Sequence, residues 1–220
     1  MRKNLTAVLA LAFAAAACDS KPPPAPPAPV KKKASDPEVV REMRAAVRSG
    51  FQDEAAVVAM FAEERYEPGE LDPAEVKAAV SKEFAALREE RKTWPAETDC
   101  DRLTQVFKAL AGRGVIALEN AGYTQSDGQD DVAQAFDSAP DKSKLTGYCF
   151  YHGQDVERAV NGEGLHLSFG ALDPEKEESQ GPLVGKIVVE ELEKRGLKTV
   201  WDSTFQTRIH IPKFDWKRRS

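Results

Sequence analysis

The chain has 220 residues, of which 41% are hydrophobic and 30% charged, and its formal net charge is −5 at neutral pH. The part from Ser35 onward is long enough for one sizeable hydrophobic core. The acidic balance argues against a nucleic-acid partner, because phosphate backbones are bound by cationic surfaces.

The first 18 residues have the pattern of a bacterial lipoprotein signal. Arg2 and Lys3 precede an apolar run that ends in Ala15-Ala16-Ala17-Cys18, which resembles a lipobox. We expect residues 1–17 to be a signal peptide and Cys18 to carry acyl chains such as palmitate. The protein would then be anchored in the bacterial envelope, facing the periplasm or the exterior. An ordinary signal peptide and a transmembrane anchor are alternatives, although a membrane span needs roughly 20 apolar residues.

Residues 18–34 are expected to form the lipid anchor and a proline-rich linker. The prolines between Lys21 and Val30 favour polyproline II, since proline lacks a backbone N–H group. At about 3.1 Å per residue, this stretch would hold the folded part some 30 Å above the lipid. The anchored protein would therefore have the membrane as a partner, through its N-terminal lipid.

Residues 35–97 are predicted to be helical. The pattern contains helix-start signals, in which a capping residue comes before proline, and apolar residues at three- and four-residue spacing. The predicted helices run from Asp36-Pro37 to Gly50, from Asp53 to Arg65 and from Asp72 to about Lys92.

The pattern changes at Thr98 to short strands alternating with helices. Helices are expected over Asp99–Ala111, around Val132–Phe136, from Gln154 to Val160 and from Pro182 to Arg195. Strands are expected over Val115–Leu118, Leu145–His152, Leu165–Leu172, Lys198–Trp201 and Thr207–Ile211. The sequence therefore predicts an α+β fold, with N-terminal helices followed by a four- to five-stranded sheet and helices packed on one face. Residues 98–220 would be the α+β domain, and residues 35–220 one folded unit.

Two cysteines remain once Cys18 is assigned to lipid. Cys100 and Cys149 could form a disulfide in an oxidising compartment. The competing interpretation, which we favour, is two buried thiols, because Cys149 lies in an apolar, strand-like run. Catalysis by Cys149 with His152 is disfavoured, since residues three apart on a strand point to opposite faces.

Polar residues that could take part in binding or catalysis lie at three places in the sequence. The first is the loop after the first strand, where Asp127 is expected to cap a helix rather than to bind calcium, because the calcium-loop spacing is missing. The second follows the next strand at His152. The third is the last strand, where Arg208 and His210 share a face and would meet Asp202. No zinc motif is present, and we expect no metal and no cofactor.

Three segments resemble a bacterial family of domains of unknown function. They are Gly114–Gly128 (GVIALENAGYTQSDG), Gly147–Asp155 (GYCFYHGQD) and Arg208–Arg219 (RIHIPKFDWKRR). The resemblance covers roughly Ser35 to Arg219 and implies no particular activity.

Two functions fit these residues. The favoured one is a non-catalytic domain that binds an unknown protein or small molecule, because no nucleophile elbow, zinc motif or phosphate loop appears. The alternative is a hydrolase with Asp127 or Asp155 and His152 or His210 as acid and base, which needs a histidine within hydrogen-bond reach of an acid in a concave pocket. The candidate binding cluster consists of Asn120, Tyr123, Gln125, Asp127, His152, Asp155 and Arg208.

Overall fold

A computed structural model of the chain describes residues 31–219. The expected signal peptide, Cys18 and the proline-rich stretch up to Val30 lie outside the described residues. Within residues 31–219, no helix combines the length and the apolar character that crossing a membrane requires.

The described residues form seven α-helices and four strands. The helices are α1 (Pro37–Ser49), α2 (Glu54–Ala59), α3 (Pro73–Arg91), α4 (Asp99–Gly112), α5 (Gln125–Ser138), α6 (Gly153–Val160) and α7 (Glu177–Lys194). The strands are β1 (Val115–Leu118), β2 (Gly147–Phe150), β3 (Leu165–Ala171) and β4 (Ile209–Ile211). A π-helical turn, Met60–Glu64, continues α2.

The helical region, residues 35–97, follows the sequence signals. Asp72 caps α3 by accepting hydrogen bonds from the backbone N–H groups of Ala74 and Glu75 at 2.8 and 3.1 Å. Val76, Val80 and Leu87 of α3 are buried in the core that it forms with α1 and α2. The apolar stripe is therefore the inner face of a small three-helix cluster.

The four strands form one mixed sheet in the order β1-β2-β3-β4. β1 pairs in parallel with β2, while β2–β3 and β3–β4 are antiparallel. The predicted fifth strand, Lys198–Trp201, is wrong: only Val200 forms a bridge, to His210. The α+β class with N-terminal helices is confirmed.

Helix α7 also differs from its predicted bounds. It begins at Glu177, and Pro182 lies inside it. Pro182 is the sixth residue of this helix, so the backbone hydrogen bond to the carbonyl oxygen of Glu178 is missing, yet the helix continues through it. Pro182 was therefore a poor marker of the helix start.

Helices pack on both faces of the sheet, which corrects the prediction of one covered face. Residues of α4 and α7 share a core with Cys149 of β2 and Leu167 of β3. Helix α5 packs on the opposite face, where Val132 contacts the cluster of Phe150. Gly128 allows this approach, because an added Cβ would lie 2.3 Å from the Phe150 ring. Helix α5 thus covers β1 and β2, and a cleft remains on the same face beside β3.

The C-terminal segment joins the helical region to the sheet. Trp216 is buried in the sheet core, and its Nε1–H group donates to the carbonyl oxygens of Arg48 and Ser49 at 3.2 Å. The Arg218 guanidinium lies 4.1 Å from the centre of the Phe51 ring. A cation–π contact and a buried tryptophan therefore hold the end of α1 against the sheet.

Cys100 and Cys149 are free thiols in the same core cluster. The disulfide is therefore not formed, and the alternative of two buried thiols describes the structure. Burial raises the pKa of Cys100 to about 12 and raises that of Cys149 as well. Both side chains pack as small apolar groups.

Candidate functional site

The cleft beside β3, called the β3 cleft below, has a volume of about 470 Å³. Elements far apart in the sequence bring polar side chains to it. The ones that matter for its chemistry are Gln125, Tyr148, His152, Arg158, Ser168, Glu177 and Arg208.

The junction between β2 and α6 positions the first part of the site. His152 is the N-cap residue of α6, and Asp155 lies in its first turn. The Asp155 carboxylate accepts a hydrogen bond from the backbone N–H of His152 at 3.2 Å. Its negative charge also faces the positive end of the helix dipole. The sequence pattern of a cap followed by an acid thus fixes this carboxylate beneath the cleft.

Two arginines bind the buried carboxylate of Asp155, which is fully shielded from solvent. Arg208 donates from Nη1 to Oδ1 at 3.0 Å and from Nη2 to Oδ2, a bidentate pair. Arg158 donates from Nη1 to Oδ1 at 2.7 Å. One negative charge therefore holds two positive charges, and the three groups together carry a net charge of +1.

His152 lies against the same carboxylate. Its Nε2 atom is 3.2 Å from Oδ2 of Asp155, whereas its Nδ1 atom is buried without a hydrogen-bond partner. Burial lowers the pKa of His152, and the charges of Arg208 and Arg158 lower it further, against the opposing effect of Asp155. The lowered pKa favours the neutral imidazole. Nε2 lies within hydrogen-bond distance of Asp155, and a proton on Nε2 would leave Nδ1 as an acceptor.

The other end of the cleft has a different character. The Ser168 hydroxyl donates to Oε1 of Gln125 at 2.7 Å. Farther along β3, Oε2 of Glu177 accepts from the backbone N–H of Ala171 at 2.8 Å, and burial raises the pKa of Glu177. Gly170 permits this approach, since an added Cβ would lie 2.4 Å from Oε1 of Glu177.

Four of the seven predicted cluster residues meet at the β3 cleft or directly beneath it: Gln125, His152, Asp155 and Arg208. The other three do not. Asp127 forms the capping box of α5 with Thr124, as its sequence position indicated. Hydrogen bonds from Thr124 and Tyr123 lower the pKa of Asp127.

Tyr123 and Asn120 belong to the junction with the helical region. The Tyr123 hydroxyl contacts the Glu157 carboxylate at 3.1 Å, and Arg65 lies 3.4 Å from the same carboxylate. Asn120 lines a separate depression beside Tyr123. Tyr123 and Asn120 therefore lie where α6 meets the helical region, and they do not line the β3 cleft.

The last strand also corrects two expectations. Arg208 pairs with Asp155 instead of Asp202, which accepts hydrogen bonds from Thr204 and Thr207. The His210 ring stacks on that of His166, with centroids 4.1 Å apart. No group of three or more His, Cys, Asp or Glu side chains in residues 31–219 is arranged to hold a metal ion.

The predicted cluster left out Arg158 and Tyr148, and sequence reasoning missed Ser168 and Glu177 entirely. Ser168 is a buried polar residue inside an apolar strand, and that contrast was the signal that could have identified it. Glu177 carried no such signal, because it begins a helix rich in exposed acids.

A comparison with protein families matches residues 32–220 to DUF6891, a domain of unknown function. The chain belongs to this family. The DUF6891 match includes both the helical region and the sheet, and it confirms the resemblance that the three sequence motifs indicated. It begins after the proline-rich stretch and does not include Cys18. No curated protein and no solved structure matches the chain.

Proposed function

We propose that this chain is an envelope lipoprotein whose folded domain binds a small polar ligand in the β3 cleft without catalysing a reaction. Acylated Cys18 would be the membrane anchor, and the proline-rich residues 21–30 would be the spacer. Ligand binding would then take place just above the membrane surface.

The observation that carries the proposal is the pair of guanidinium groups fixed in the cleft by one buried carboxylate. Ligand sites combine a concave surface of about 300–1,000 Å³ with a few polar groups held in place. The β3 cleft falls within this range. Its arginines are oriented before any ligand arrives, which reduces the entropy lost on binding.

The same contacts argue against catalysis. Asp155 is buried, and both of its oxygens accept hydrogen bonds from arginines. The Ser168 hydroxyl donates to Gln125 and not to a histidine. A hydroxyl nucleophile needs a base within hydrogen-bond reach, and Ser168 has no such contact.

Ligand binding can be tested by thermal shift with a low-molecular-mass extract of the envelope. A fraction from the extract should raise the melting temperature of the wild type and have less effect on Gln125→Ala, which alters the cleft. Gln105→Ala is the matched control. The Gln105 amide is on the surface, where it donates a hydrogen bond to Glu97. The proposal fails if no fraction stabilises the wild type, or if both variants respond equally.

The anchor has a separate test. Mass spectrometry of the mature N-terminus should find a lipid-modified Cys18, and Cys18→Ser should move the protein from the membrane fraction to the soluble one. An unmodified Cys18 would refute the anchor and leave the cleft unaffected.

A hydrolase is the second candidate, and one distance favours it. His152 lies within hydrogen-bond reach of Asp155, the geometry that an acid–base pair requires. We expect no hydrolysis of activated esters above that of the His152→Gln variant. A large difference between the two proteins would establish the hydrolase instead.

A further inference from the structure

We propose that the ligand of the β3 cleft carries one anionic end, a carboxylate or a phosphate, which Arg158 and Arg208 bind, and no second anion at its other end. This inference rests on the proposed ligand-binding function and names the chemistry of the ligand.

The unbalanced charge at one end of the cleft is the first argument. Arg158 and Arg208 share the single carboxylate of Asp155, so one positive charge stays uncompensated. Buried or half-buried charges are normally paired, because desolvating an unpaired charge is unfavourable. An anion from the ligand would complete the pairing.

Open hydrogen-bond donors provide the second argument. Arg158 uses one nitrogen for Asp155, and its side chain remains 41% exposed at the rim. A guanidinium has five N–H donors in a planar arrangement that matches a carboxylate or a phosphate. Asp155 holds Arg158 in one orientation and leaves its other donors open toward the cleft.

The third argument is the Nδ1 atom of His152, which has no hydrogen-bond partner and belongs to the same end of the cleft as the arginines. The side chain is 98% buried, lines the cleft and has no partner at Nδ1. Buried polar atoms in folded proteins nearly always have a partner. A hydroxyl or N–H group of the ligand, next to its anionic end, would satisfy Nδ1.

Glu177 restricts the opposite end of the ligand. Arg208 contacts the backbone oxygen of His166, whereas Glu177 contacts the backbone N–H of Ala171. These positions are five residues apart on β3, or roughly 16 Å along the strand. Among the described residues, no ion pair joins Glu177 to either arginine, so Glu177 does not neutralise their charge directly. A ligand that reaches it must be neutral or cationic there.

Four probes distinguish these statements when they are titrated into the full chain carrying Cys18→Ser and followed by backbone NMR shifts. The zwitterion alanyl-alanine has a carboxylate and an ammonium group, and its C-terminal amide lacks the carboxylate. Glutarate has two carboxylates, and inorganic phosphate tests the other anion. We expect saturable shifts at His152 and Ser168 with alanyl-alanine or phosphate, at least tenfold weaker binding of the amide, and weaker binding of glutarate than of alanyl-alanine.

Variants test the residues. Arg158→Gln should weaken binding of the anionic probes at least tenfold, while Asp155 stays paired with Arg208 and the fold is retained, as circular dichroism would verify. Arg88→Gln, which removes an exposed arginine paired with Glu54 in the helical region, should change nothing. Glu177→Gln should improve glutarate binding.

The inference is overturned if the amide binds as tightly as alanyl-alanine, if Arg158→Gln has no effect, or if no anionic probe gives saturable shifts. In each case the proposed function survives as long as an extract fraction stabilises the wild type more than Gln125→Ala. If no fraction does so, the proposed function fails by itself.

Discussion

Replacing Asp155 by asparagine tests whether the buried carboxylate organises the cleft. The substitution keeps the size of the side chain but removes the charge that two arginines share. It also places an NH₂ group where an oxygen now accepts from a guanidinium. Removing one partner of a buried ion pair costs about 3–5 kcal/mol, because the other charge is left uncompensated.

The exposure of the arginines decides where in this range the effect lies. The side chains of Arg208 and Arg158 are 29% and 41% exposed, so water partly solvates them once the carboxylate is lost. We therefore expect Asp155→Asn to lower the free energy of unfolding by about 3 kcal/mol. For a folded part of this size, the melting temperature should fall by about 6–12 °C.

Urea unfolding followed by circular dichroism measures this loss, provided that the denaturant dependence stays the same in both proteins. Asp137→Asn is the control, because Asp137 is an exposed acid paired with Lys142, and surface pairs contribute little. Equal stability of the two variants would refute the reasoning. It would show that Arg158 and Arg208 do not depend on the carboxylate for their positions.

Three further predictions concern acidity, packing and the C-terminal segment. Burial lowers the pKa of His152 and of His166, so the unfolded chain binds more protons once the pH falls through about 6.5. Urea titrations should therefore show a loss of stability from about pH 7.5 to pH 5.5, and a smaller loss in His152→Gln; identical slopes would exclude this histidine as a cause. Gly128→Ala should cost about 1–3 kcal/mol in the same assay, because of its clash with an aromatic ring, whereas Gly112→Ala, with open space around it, should be neutral or stabilising. Trp216→Phe should lose about 1–2 kcal/mol through its two backbone contacts, and an unchanged melting temperature would show that these contacts are dispensable.

Local signals in the sequence predicted the elements whose causes are local. The cap at Asp72 and the capping role of Asp127 follow from hydrogen bonds within four residues. Cys149 lies in the core and His152 lines the cleft, so the two are separated as expected, but His152 is the N-cap of α6 and lies beyond the end of β2.

The site itself depends on contacts that no local pattern encodes. Arg208 and Asp155 are 53 positions apart in the sequence, and their pairing follows from the place of β4 beside β3. The sequence offered Asp202 as a nearer acid, but that side chain is occupied within its own turn. Four residues of the candidate cluster therefore meet at the β3 cleft because strand ends gather polar groups, whereas the other three serve a helix cap or a junction.

The contact of Trp216 with the end of α1 has a consequence for the order of folding. The tryptophan follows Arg48 by 168 positions, so the helical region is synthesised long before the residue that fixes it to the sheet. At about 5–20 residues per second, the delay is some 8–34 s. During this time α1 to α3 can fold among themselves and contact α6, whereas the contact of Trp216 with the end of α1 forms only after β4 has been made.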